Sequence, residues 1–142
     1  MITLDPAKIK RRADSQAEAL ADAKGAARAR LSAHIDAARR SLITPLTGQD
    51  MIYLAKEAEA LAWVGAEDPA LADYPLLAAE IGITAPDADQ LAQLWLNMAA
   101  IWRQTAAQLE AWRLSAGAAV DMAETPEDAW AAITQPMGLP HG

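Results

Sequence analysis

Residues 7–43 of this 142-residue chain contain no proline and a single glycine, Gly25. The run is dense in Ala, Arg, Lys, Gln and Glu, the residues that lose least on entering a helix. It predicts one long helix, and such a helix constrains everything else. A chain of this size is the prior for one domain, so most of its remainder must be spent covering that helix, or part of it is left for another molecule. At 100° per residue, Ile9, Ala13, Leu20, Ala27, Leu31, Ile35, Ala38 and Leu42 fall within an arc of about 80°, with His34 at its border. Asp14, Glu18, Asp22 and Asp36 lie opposite, and Lys24, Arg28 and Arg39 line one edge of the stripe.

Half of that stripe is Ala. The chain holds 36 Ala and neither Phe nor Cys, so its 53% hydrophobic content overstates the available core. A buried methyl is worth roughly 0.8 kcal/mol, against about 1.5–3 kcal/mol for a Leu or Ile side chain. The helix can approach a neighbour closely but gains little from doing so. The expectation is that it projects and docks on another chain, either a copy or a different partner.

Composition also removes classes of function. Without Cys there is no disulfide scaffold, thiolate metal site or cysteine nucleophile. His34 and His141 are too few for a multi-histidine metal centre. The N-terminus meets Asp5, Lys8, Lys10, Arg11 and Arg12 with no apolar run, so no secretory signal is expected. The longest uncharged stretch, Ala129 to Gly142, is short of a membrane span and contains two prolines. Net charge is −7, but residues 1–40 carry +4 and residues 41–142 carry −11, so the two ends attract each other. The acidic remainder repels phosphate and disfavours nucleic acid as a partner.

Beyond Ser41, Pro45 disfavours helix at Thr44, and Thr47 is placed to cap a second helix from about Gln49 to Val64, closed by Gly65. Its main stripe is Met51, Leu54, Ala55, Ala58, Leu61 and Ala62; Ile52, Tyr53 and Trp63 lie off it, which predicts contacts on two sides. A loop with Pro69 leads to a short helix from Pro75 to Ile81, with Asp73 or Tyr74 near its cap and Gly82 at its end. Thr84, Pro86 and Asp87 start a long helix to Met122. Its stripe is Leu91, Leu94, Trp95, Met98, Ile101, Trp102, Thr105, Leu109, Trp112, Ala116 and Val120, the strongest amphipathic signal in the chain. Thr125, Pro126, Glu127 and Asp128 open a last short helix carrying Trp130 and Ile133, and 135–142 reads as a tail.

No stretch alternates with period two, so no significant sheet is expected. The predicted fold is all-α and elongated: a long amphipathic N-terminal helix (1–43), an antiparallel helical hairpin or small bundle (44–134) and a tail (135–142). The core should centre on the second and fourth helices.

The candidate chemistry is thin. Trp95 and Trp102 share a face and could form a stacking platform, but in a chain without Phe they are the means of filling an Ala-rich bundle. Glu57 with Glu59, and Asp87 with Asp89, stand two apart, a spacing that suits solvated or capping roles rather than paired acid–base work. Asp14, Glu18 and Asp22 repeat along an exposed face beside Lys10 and Arg11 and do not make a cation site. The serines lack a nucleophile elbow, and the glycines are scattered terminators rather than a phosphate loop. No catalytic residue, cofactor or metal is expected. Partner contacts are instead expected at Lys24, Arg28, Leu31, Ile35 and Arg39 on the first helix, and at Trp63 or Trp130, where an exposed Trp would mark an interface. Leu96 and Leu114, five turns apart on the polar side of the fourth helix, would form a second contact surface.

Three segments carry a family resemblance: Ile43-Thr44-Pro45-Leu46-Thr47-Gly48-Gln49, Tyr53-Leu54-Ala55-Lys56-Glu57-Ala58-Glu59-Ala60, and Asp73-Tyr74-Pro75-Leu76-Leu77-Ala78-Ala79-Glu80 with Gly82-Ile83-Thr84. Followed by a long helix with Glu110-Ala111-Trp112-Arg113-Leu114, they resemble a helical module of small tail-associated proteins of tailed bacteriophages and prophages, over roughly residues 30–122. The resemblance implies that the Asp-Tyr-Pro-Leu-Leu turn folds Tyr74 and Leu77 back against Tyr53 and Trp63. It also implies a non-enzymatic structural component near the baseplate or tail-fibre attachment. Such a protein would reside in the virion tail, and in the host cytoplasm during assembly. Its partners would be tail or tail-fibre proteins, in a homo- or hetero-oligomer, with no membrane. Related proteins often carry a fibre-like or β-rich part in front of the module. This chain has a helix there, so a receptor-binding role does not carry over. The alternatives are a tail-fibre assembly chaperone, and a small helical DNA-binding regulator using Lys8 to Arg12, Lys24 and Arg28.

Overall fold

The computed structural model describes residues 2–43 and 48–141, and these form an all-α protein. The elements are α1 (Pro6–Ser41), α2 (Gln49–Gly65), a 3-10 turn (Leu71–Asp73), α3 (Pro75–Glu80), α4 (Ala88–Met122) and α5 (Pro126–Ala131). Among the described residues there is no strand, only a single bridge between Ile81 and Ala85.

Helix starts follow local chemistry. The Asp5 carboxylate accepts from the Ala7 N–H at 3.0 Å, Asp87 from Gln90 N–H at 2.8 Å, and the Thr125 hydroxyl oxygen from Asp128 N–H at 3.1 Å. Each satisfies a donor that the first helical turn leaves unpaired. Pro75 and Pro126 occupy first-turn positions, where a missing N–H costs nothing. Gly48 precedes α2 with φ +80°, a conformation that only glycine adopts readily, and its carbonyl accepts from Ile52 N–H at 3.2 Å. Thr44, Pro45 and Thr47, expected to break and cap the chain, lie outside the described residues.

The chain divides into two compact units, Met1–Ser41 with Gln108–Gly142, and Leu42–Ala107. The sequence instead predicts divisions after 43 and 134. The difference arises because α4 gives its first part to one unit and its last part to the other.

In the first unit, α1 finds its cover within the chain. Arg28 pairs with Asp121, and eleven residues on, Arg39 pairs with Glu110 at 3.1 Å. Equal intervals in opposite order make α1 and the end of α4 antiparallel, in register over about three turns. Lys24 Nζ donates to the Asp121 carbonyl at 2.7 Å, and His34 stacks on Trp112 at 6.3 Å. Ala23, Ala27, Leu31, Ile35 and Ala38 are buried on this side, opposite Leu109, Trp112, Ala116 and Val120, with Ala123, Ala129, Ile133 and Leu139 completing the core. The Ala positions allow the close helix approach that the stripe predicts.

The expectation of a projecting first helix therefore needs correction over its second half. From Ala23 onward the stripe is covered by α4 and α5; residues 2–19 are exposed throughout. The expected tail is also folded, since Leu139 is buried and the Gln135 amide donates to the carbonyls of Leu139 and Pro140 at 3.3 and 2.8 Å.

The second unit is built around Ala60, Leu77, Leu91, Ala92 and Trp95, with Trp63, Tyr74, Leu76, Ile81, Ala85 and Leu96 packed against them. Trp63 meets Tyr74 edge-to-face at 5.2 Å and donates its indole N–H to Asp89 at 2.7 Å. The expected contact of Tyr74 with Trp63 is present, and Leu77 lies in the same core.

Candidate interaction surface

The second unit turns an apolar face outward. The sequence predicts that α2 buries Met51, Leu54, Ala55, Ala58, Leu61 and Ala62; the structure leaves all six exposed. It buries Ala60 on the opposite side, with Tyr53, Lys56, Glu57, Glu59 and Trp63 half-buried around it. The reason is that the inward polar groups are all used. The Glu59 carboxylate accepts from the backbone N–H groups of Leu76 and Leu77 at 3.0–3.1 Å, capping α3 from a neighbouring helix. Lys56 pairs with Glu80 while its ammonium sits 5.1 Å from the Trp95 ring, and Glu57 pairs with Arg103.

The stripe of α4 is interrupted in the same way. Leu91, Ala92 and Trp95 are buried in the second unit and Leu109, Trp112, Ala116 and Val120 in the first. Between them, Met98, Ile101 and Trp102 are exposed, a bare length of helix whose residue types belong in a core.

Leu54 of the first surface and Met98 and Trp102 of the second line one groove of about 790 Å³, wholly within the second unit. Leu54 and Tyr53 of α2 form one wall, Met98 and Trp102 of α4 another, and Ile83 closes an edge. Leu54 is 67% exposed and Ile83 81%. Lys56, Glu57, Glu80 and Arg103 also line the groove, but as the ion pairs already described, with Thr84 donating to Glu80 at 3.0 Å. The charges cross-brace the walls. Beyond those pairs the site offers apolar surface and the carboxylate of Asp50, a chemistry that suits binding.

The expected partner-contact residues are distributed differently. Leu31 and Ile35 are buried in the first unit, and Lys24, Arg28 and Arg39 spend their charge on Asp121 and Glu110. Arg113 shares Glu110 at 2.6 Å, and its hydrogen bond, ahead of the charges of Arg113 and Arg39, lowers the pKa of the Glu110 carboxyl from its ordinary value. Trp63 is occupied by Tyr74 and Asp89. Leu96 packs on the core of the second unit, and Leu114 is exposed on the first. Trp130 is exposed. Both candidate platform residues line the groove, Trp95 from the buried core and Trp102 from the exposed length of α4.

Sequence reasoning about partner contacts passed over Leu54, Ile83 and Met98. The available signal was the second apolar face of α2, read as buried on both sides. Among the described residues no group of three or more His, Cys, Asp or Glu is placed to hold a metal ion, and no helix is long and apolar enough to cross a membrane. Comparison of the chain with protein-family models, with curated proteins and with solved structures finds no match to any of them.

Proposed function

We propose that this chain is a non-enzymatic structural component of a bacteriophage tail, near the baseplate or the tail-fibre attachment, working through helix-mediated protein contacts. The observation that carries the reading is the uncovered groove of the second unit: its walls are apolar, and of its charged lining residues Lys56, Glu57, Glu80 and Arg103 are paired among themselves, which leaves the Asp50 carboxylate. Such a surface offers desolvation to a partner and no reactive group to a substrate. The segments that carry the resemblance to tail-associated proteins build that groove. Tyr53, Leu54, Lys56 and Glu57 come from one of them, and Glu80, Ile83 and Thr84 from another.

Quantitative mass spectrometry of purified particles from the phage or induced prophage that encodes the chain tests the proposal. A structural component is present at a fixed copy number relative to other tail proteins. Presence in the lysate together with absence from the particles would overturn the structural role and leave an assembly helper.

A further inference from the structure

The net charge of −7 is not spread over the molecule. In the first unit the surplus of Lys and Arg on α1 is balanced by the acidic residues of 108–142, and the unit is neutral. The second unit holds nine Asp and Glu against two Lys and Arg, and therefore carries the whole −7. Both of its cations, Lys56 and Arg103, are already paired with Glu80 and Glu57.

The missing positive charge is at the start of the chain. Lys8, Lys10, Arg11 and Arg12, against Asp5, give residues 2–12 a charge of +3, and among the described residues none of the four cations is in an ion pair. The same arm exposes Ile2, Leu4 and Ile9, and its helical part projects with no covered residue before Leu20. An arm with exposed apolar side chains and a positive charge is thus matched in chemistry by a groove with exposed apolar walls and the Asp50 carboxylate in its lining, in a unit that carries −7.

We infer that the occupant of the groove is the N-terminal arm of a second copy of this chain. Ile9 and its apolar neighbours enter between Leu54, Ile83, Met98 and Trp102, while the four cations meet the carboxylates of the second unit. The arm and the groove are different surfaces, so the contact is heterologous: each copy gives one arm and receives one. Head-to-tail contacts of this kind propagate, closing into a ring or continuing as a filament. The inference does not depend on the tail assignment, because it rests only on charge and exposed surface.

The test is sedimentation velocity of the full chain at about 50 mM and about 500 mM NaCl, between which screening removes most attraction across exposed charges. The wild type should form dimers and larger species at low salt, with an apparent Kd at least about tenfold weaker at high salt. One variant reverses the arm (Lys8→Glu, Lys10→Glu, Arg11→Glu, Arg12→Glu). Another charges the groove (Leu54→Lys, Met98→Lys). All six positions are exposed, and helicity by circular dichroism checks that both variants fold; Met98→Lys alone serves if the double change does not. Each variant alone should be monomeric. An equimolar mixture should form a one-to-one dimer and nothing larger, because one intact arm and one intact groove remain. A wild type that stays monomeric at low salt overturns the inference. So does an arm-reversed variant that assembles like the wild type, or a mixture that stays monomeric while the wild type associates. None of these outcomes bears on whether the chain is found in phage particles.

Discussion

Replacing leucines on the two sides of the second unit should separate them by several fold in cost. Leu77 is fully buried in the cluster with Ala60, Leu91 and Trp95, whereas Leu54 and Leu61 are 67% and 56% exposed. Leu77→Ala loses the transfer free energy of the removed groups and leaves a cavity that the surrounding Ala-rich helices fill poorly. The expected destabilisation is about 3 kcal/mol. Leu54→Ala and Leu61→Ala give up only the covered third to half of a side chain worth about 1.5–3 kcal/mol when fully buried. A small gain in helix propensity offsets part of that, so each should cost under about 1 kcal/mol. The assay is urea unfolding of the full chain, followed by circular dichroism and Trp fluorescence, at about 500 mM NaCl and low protein concentration so that copies are apart. A loss of about 2 kcal/mol or more at Leu54 or Leu61 would refute the reasoning, because it would mean that the stripe of α2 is covered in the isolated chain.

Further outcomes follow from individual contacts. Glu59→Ala removes the carboxylate that accepts from the Leu76 and Leu77 N–H groups and should cost about 1–3 kcal/mol in the same unfolding assay, with Glu59→Gln retaining part of it. Among the described residues the buried indole N–H of Trp112 has no hydrogen-bond partner, so Trp112→Phe should cost under about 1.5 kcal/mol, while Trp112→Ala should cost about 3–5 kcal/mol. Glu110 has its pKa lowered on folding, so it favours the folded state at neutral pH and loses that contribution as pH falls through its lowered value. An acid titration of stability should therefore flatten in Glu110→Gln relative to the wild type as pH falls from the ordinary glutamate value through the lowered one.

What the sequence reveals depends on how local the determining contacts are. Asp87, Thr125 and Pro126 act within a turn of their own helices, and the helix starts they predict are those observed; Asp5 caps α1 in the same local way but was not singled out. The face of α1 from Ala27 to Ala38 is legible for the same reason, because helical spacing alone brings Leu31 and Ile35 together. The orientation of α2 is not local. Its larger apolar residues, Met51, Leu54 and Leu61, mark one face as the core. The face that packs is decided by Glu59 reaching the backbone of Leu76 and Leu77, by Lys56 between Glu80 and Trp95, and by Trp63 on Asp89. Those partners lie some 15 to 40 residues away along the chain, and periodicity carries no information about them. The partner of α1 was hidden likewise, since Arg28 and Arg39 find their carboxylates at Asp121 and Glu110, beyond the whole second unit. The candidate groove is the remainder of these choices: it is the apolar surface left over when polar groups take the inner positions.

The most direct test of that account is the rate of methionine oxidation by dilute peroxide, residue by residue, in the full chain. Met51 and Met98 lie on the uncovered surface of the second unit, and Met122 and Met137, exposed on the first, serve as internal standards. At high salt and low concentration, Met51 and Met98 should oxidise at rates within about threefold of the two standards. At low salt and high concentration, Met98 in the groove should slow while Met122 and Met137 do not. Slow oxidation of Met51 and Met98 in the separated chain would contradict the account, because it would place the apolar face of α2 and the middle of α4 inside the fold.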